Sequence, residues 1–140
     1  MAIGETSHKE ALKDAWDAIF EGDLEVIDEI YAEDVVASDP TTIVEGIEAY
    51  KEYTQAFLDG FSDLEFEVLD MIEEDEVVVT HTTNRGIHDK EFDGIPPNGN
   101  SFETKAITID RFENGKVVEE TNLWDNLGFL EQLGIDPSDL

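Results

Sequence analysis

Residues 101–125, SFETKAITIDRFENGKVVEETNLWD, decide the fold. Asn114-Gly115 sits between two runs rich in β-branched and aromatic residues, and this dipeptide supplies the two positive φ angles of a two-residue hairpin. The spacing predicts antiparallel strands over about 101–112 and 116–125. If no bulge intervenes, Phe112 faces Val117, Asp110 faces Glu119, Thr108 faces Thr121, Ala106 faces Leu123 and Thr104 faces Asp125, all on one sheet face. The opposite face then carries Lys105, Ile107, Ile109 and Arg111 with Val118, Glu120, Asn122 and Trp124. Both faces mix apolar and polar residues. One is expected to line a cavity and the other to contact a second subunit; the pattern leaves open which.

The period of two continues upstream. Leu64, Phe66 and Val68 alternate with Glu65 and Glu67 in a strand running towards Ile72, Glu74-Asp75 turns the chain, and a long strand follows from Glu76 to about His88. Residues 89–100, rich in Gly, Pro and Asn, read as a loop. Before residue 60 the period is helical. Ser7 and Glu10 form a capping box for a helix over 7–20 with Leu12, Ala15, Trp16, Ile19 and Phe20 on its apolar side. Asp23 caps a short second helix, Val35-Val36 forms a small strand closed at Asp39-Pro40, and a third helix runs from about Ile47 to Asp59. A brief helix over 127–133 closes the chain. The order excludes a parallel sheet of nucleotide-binding type. It predicts an α+β domain spanning 1–140, with helices on a curved antiparallel sheet forming a cone with an internal pocket.

Composition narrows the partners. Eight Lys and Arg against 36 Asp and Glu leave a formal charge of −28, which argues against nucleic acid and anionic membranes. Leu, Ile, Val and Phe make up 40 of the 140 residues, enough for a core despite that charge. No cysteine is present, which removes disulfides, thiolate metal sites and thiol nucleophiles. No apolar run reaches the ~18 residues of a membrane span, and no secretory h-region is visible. A cytoplasmic protein is expected, in a cell of high salt content where an acidic coat repels itself least.

No phosphate loop, dinucleotide glycine pattern, HExxH, GxSxG or metal-spaced histidine cluster occurs. The chemistry expected is therefore proton transfer without cofactor or metal. Asp110, beside a second carboxylate across the hairpin, is a candidate acid or base, because like charges in a pocket raise a pKa. Asp125 at the strand end can cap the last helix, place a partly desolvated carboxylate at the pocket mouth, or do both. His81 lies in a polar run within a core strand and is a third catalytic candidate. Trp16, Phe20, Tyr50 and Asn122 are candidate pocket residues. His88 is expected to anchor the loop.

Several segments resemble the SnoaL-like polyketide cyclase (ester cyclase) family. They are Gly86 to Phe92, Gly94-Ile95-Pro96-Pro97-Asn98-Gly99, Arg111 to Glu120, Trp124 to Gly128, and Gln132-Leu133-Gly134. The Gly-Ile-Pro-Pro-x-Gly loop together with the Trp-Asp…Gln-Leu-Gly ending carries most of the likeness. The resemblance implies the cone fold of nuclear transport factor 2 and ketosteroid isomerase. It also implies intramolecular aldol closure of a small apolar carbonyl or ester substrate, with Asp125 moving the proton. The family's partner histidine has no match here, Asp110 lying nearby; Ser38-Asp39-Pro40 stands where many relatives have His-Asp-Pro, and His81 where an arginine is frequent. The rival reading is a non-catalytic small-ligand-binding protein on the same scaffold. A homodimer through the free sheet face is expected in either case.

Overall fold

A computed structural model describes residues 7–92, 94–136 and 138. Helix α1 (His8–Phe20) starts where Ser7 Oγ accepts from the backbone N–H of Glu10 at 3.2 Å, and it buries Leu12, Ala15 and Ile19. Helix α2 (Val26–Ile30) turns directly into strand β1 (Tyr31–Ser38). Strand β2 (Ile43–Glu45), helix α3 (Ile47–Gly60), strands β3 (Phe61–Glu74), β4 (Val77–His88), β5 (Ser101–Glu113) and β6 (Lys116–Trp124), and helix α4 (Asn126–Gln132) follow. No helix among the described residues is long and apolar enough to cross a membrane.

The expected meander is β3 to β6, extended at one edge by two further strands, in the order β2-β1-β6-β5-β4-β3. Helices pack on one side of this curved, unclosed sheet. Strand β1 lies parallel to β6, the one parallel pairing in the described sheet, and is longer than the expected Val35-Val36. Its alternation is hard to read because the register shifts between Tyr31 and Val36, so burial falls on residues 31, 35 and 37. Three residues of β2 are too few to show any period. The β3–β4 turn falls one residue later than expected, at Asp75 and Glu76, both with positive φ. Asp tolerates that conformation better than most residues and Glu does not; the Glu76 carbonyl is held from outside by the backbone N–H of Phe112 at 2.8 Å.

The hairpin at Asn114-Gly115 forms as expected, with φ of 53° and 81°. The register beyond it does not. Phe112 pairs with Val117, but Arg111 pairs with Glu119, so Val118 bulges out. One extra residue delivers every later side chain of β6 to the opposite face. Asp110 therefore stands opposite Glu120, Thr108 opposite Asn122 and Ala106 opposite Trp124, correcting the expected pairs.

Two apolar clusters result. The larger joins α1, α2, α3 and the inner sheet face through Leu12, Ile19, Ile27, Tyr31, Tyr50 and Phe112. The smaller holds Phe61, Phe102, Phe129, Leu130 and Leu133 beneath α4. His88 belongs beside the second cluster, its ring 5.3 Å from that of Phe61. Its backbone anchors the loop, accepting from Gly99 and donating to Asn100, while both ring nitrogens are buried without a partner. Replacing His88 with Leu keeps much of the volume and removes that unpaired donor. The variant is expected to gain about 1 kcal/mol in denaturant unfolding; a loss would mean that the imidazole has a partner.

Candidate functional site

The bulge at Val118 builds the site. It turns Glu120 inward beside Asp110, so that neighbouring strands bring two carboxyl groups together in the larger core. Asp110 is 0% exposed and Glu120 4%. Glu120 is well supplied with donors. Tyr31 Oη, at the junction of α2 and β1, donates to Oε2 at 2.9 Å, and Tyr50 Oη, from the first turn of α3, donates to Oε1 at 2.7 Å. Asn122 Nδ2 approaches Oε1 at 3.4 Å and the Ser38 carbonyl at the same distance. Trp16 Nε1 donates to Tyr31 Oη at 3.1 Å, and Thr108 donates to Asn122 at 3.0 Å. Each phenol that serves Glu120 is thus fixed by a helix packed on the sheet.

Asp110 has no such support. As a carboxylate, neither of its oxygens finds a donor. Burial pushes its pKa well above the usual carboxylate value, and the adjacent Glu120 charge pushes it further. As a neutral acid it can donate its proton to Glu120, which satisfies both groups at once. Burial and then the Glu120 charge also raise the phenol pKa values of Tyr31 and Tyr50, keeping both as donors. The arrangement holds one proton and one negative charge in a dry aromatic enclosure, a donor and an acceptor side by side. Thr80 Oγ1, buried without a partner on the same inner face, adds an unused hydroxyl.

Towards α4 the inner face is less sealed. Phe66, Asn84, Ala106, Asn122 and Trp124 are only half-buried, as are Trp16, Phe20 and Tyr53 from the helices opposite. Tyr53 donates to Asp39, and burial holds its phenol pKa up. Two depressions open on the surface, one floored by Val36 between Glu33 and Glu45, the other by Val68 and Met71 beside Lys9 and Lys13. Neither is lined by Asp110 or Glu120.

The structure therefore brings together Asp110, Trp16, Tyr50 and Asn122 among the expected residues. Phe20 stands at the half-open end, its ring 4.7 Å from Phe66. Asp125 is exposed and caps α4, accepting from the Gly128 N–H at 2.9 Å. The expected inward, desolvated placement is corrected by the bulge, which removes Asp125 from the face of Asp110. His81 lies on the outer face, its Nδ1 3.1 Å from Asp70 Oδ2. Glu119, expected beside Asp110, is exposed and 3.6 Å from Arg111 Nε. Sequence reading missed Glu120, Tyr31 and Thr80. The Glu119-Glu120 doublet guaranteed that one acid would face inward, and only the bulge chose which.

A family model described as SnoaL-like polyketide cyclase matches residues 7–133. Among solved structures, the chain is similar to IdmH of Streptomyces antibioticus, a candidate polyketide cyclase. They share 28% identity over 93% of this chain and 100% of that one, with a TM-score of 0.79. AclR of Streptomyces galilaeus, a candidate hydroxylase, shares 26% identity over 93% of this chain and 82% of its own, with a TM-score of 0.80. A SnoaL-like candidate cyclase from Jannaschia shares the fold, with a TM-score of 0.81 at 22% identity over 97% and 100% of the two chains. No protein of curated function matches the sequence.

Proposed function

The chain belongs to the SnoaL-like polyketide cyclase family, and from that premise we propose that it is a cofactor-free acid–base enzyme closing a ring within a small apolar carbonyl or ester substrate. The observation that carries the reading is the buried Asp110–Glu120 pair with its two phenol donors. Glu120 takes a proton from the carbon next to a carbonyl. Neutral Asp110 donates a hydrogen bond to the enolate oxygen that forms. The enolate carbon then bonds to a second carbonyl carbon of the same molecule, and the new alkoxide takes up the proton that Glu120 removed. Tyr31 and Tyr50 orient Glu120, while Asn122, Trp16 and Phe20 line the approach. Asp125 and His81 have no part in this scheme.

Deuterium exchange tests the first step without knowledge of the natural substrate. Neutral methyl ketones and β-keto esters in D₂O are expected to exchange the proton next to the carbonyl in the presence of the protein. Glu120→Gln should lower that rate by about 10²–10⁴-fold. Full exchange by the Gln variant overturns the assignment. The filled interior around Asp110 favours a second reading, a ligand-binding protein without turnover; a compound that binds at the half-open end and never exchanges decides for it.

The partner assigned to the outer sheet face is a second copy of the chain. Ile72 and Leu123 are 62% and 51% exposed there, with Val79, Ile107 and Ile109 half-buried between them. Four strands about 4.8 Å apart and some ten residues long at ~3.3 Å each present roughly 600 Å² of sheet. With side chains at the rim, this approaches the ~800 Å² per partner of a standard interface. Arg85, Lys105 and Arg111 also lie on this face by strand register. Glu65, Glu67, Asp70, Glu74, Glu103 and Glu119 share that face, so the three cations offset half of its acids.

A further inference from the structure

His81 occupies the middle of that outer face, opposite Asp70 of β3 and Ile107 of β5. A second bulge puts the acid there. The register of β3 against β4 shifts between Val68 and Asp70, so that Asp70, and not Leu69, faces the imidazole. An unbulged strand would have set an apolar side chain against His81 in an apolar field. The side chains of His81 and Asp70 are 31% and 70% exposed, and their contact is 3.1 Å. The charged groups nearest to His81 on each packed strand are Glu67 and Asp70 on β3, Arg85 on β4 and Lys105 on β5.

We propose that His81 and Asp70 form a proton-operated switch for pairing of two sheet faces, with imidazole protonation tightening the dimer. The inference rests on the assignment of the outer face to a second copy. Covering that face withdraws water from the pair in both subunits. With neutral imidazole, each Asp70 carries its full charge into the interface with one neutral hydrogen bond. With imidazolium the pair is neutral overall and its hydrogen bond charge-assisted. Association is therefore linked to uptake of up to one proton per subunit and tightens as pH falls.

Sedimentation of the full chain at constant 0.5 M KCl tests the switch. The dimer dissociation constant is expected to fall roughly 10- to 100-fold from pH 7.5 to 5.5, since two sites titrate together. Asp70→Asn should remain dimeric and lose most of that dependence, and Leu123→Glu should be monomeric throughout. A dimer whose affinity is flat with pH, or an Asp70→Asn variant that keeps the full slope, overturns the switch and leaves the interface standing. A wild-type monomer at every pH, or a dimer untouched by Leu123→Glu, overturns the interface and the switch together.

Discussion

Asp110→Asn is expected to melt higher than the parent at pH 7 and to lose turnover. An asparagine amide donates permanently to Glu120, the hydrogen bond that Asp110 makes only while protonated. Relieving an unpaired buried carboxyl is worth about 1–3 kcal/mol. The pH profile carries the sign. Asp110 has a folded-state pKa raised above the ordinary 3.8 by burial and by Glu120. Its contribution to stability is therefore full below that ordinary value and lost as pH rises through the raised one, at up to ~1.4 kcal/mol per pH unit. The variant lacks this falling limb. Thermal unfolding at half-unit steps from pH 4 upward compares the two. A lower melting point for Asp110→Asn at pH 7 sinks the dyad as a strained site, and retained deuterium exchange removes Asp110 from the chemistry. A gain in stability with a loss of activity is the mark of a functional group held against its own preference.

The second large effect comes from salt. The accessible surface of 8170 Å² carries 28 net negative charges, one per about 290 Å², which spaces them ~17 Å apart. At 0.1 M salt each neighbouring pair repels by only ~0.05 kcal/mol, and about 80 such pairs give an upper figure near 4 kcal/mol. At 2 M KCl the screening length is ~2 Å and the term vanishes. The unfolding free energy is therefore expected to rise by a few kcal/mol between 0.1 and 2 M KCl, which is the behaviour that a high-salt cytoplasm would select. The ion pairs do not reverse the sign. Lys13–Asp17, Lys51–Asp28, Arg85–Glu103 and Arg111–Glu119 involve exposed groups and contribute little each. Equal stability at the two concentrations refutes the proposal that the acidic coat is an adaptation to brine.

Much of the architecture was legible because its signals are local. Ser7 before a helical apolar repeat, the alternation from Leu64, and Asn114-Gly115 each act within a few residues, so the helices and the meander fall where sequence places them. Strand β1 was less legible. It pairs with β6, some 85 residues away, and its irregular register erases the period that would announce it. Asp110, Trp16, Tyr50 and Asn122 were readable as candidate residues, and the structure brings them together around Glu120. In the sequence Tyr31 continues the apolar side of the short second helix after Val26, Ile27 and Ile30, because the change from α2 to β1 at that point is a tertiary event.

The amino-acid order by itself determined the α+β class, the hairpin at 114–115, the acidic surface and the presence of an acid pair near residues 110 and 119–120. The tertiary structure decided which acid enters the core. Val117 and Val118 are both apolar and Glu119 and Glu120 both acidic, so either register satisfies the local pattern equally. The phenols of Tyr31 and Tyr50, waiting for one carboxylate, break the tie. A one-residue slip then exchanges the two faces of β6, leaving Asp125 in water and Glu120 in the core.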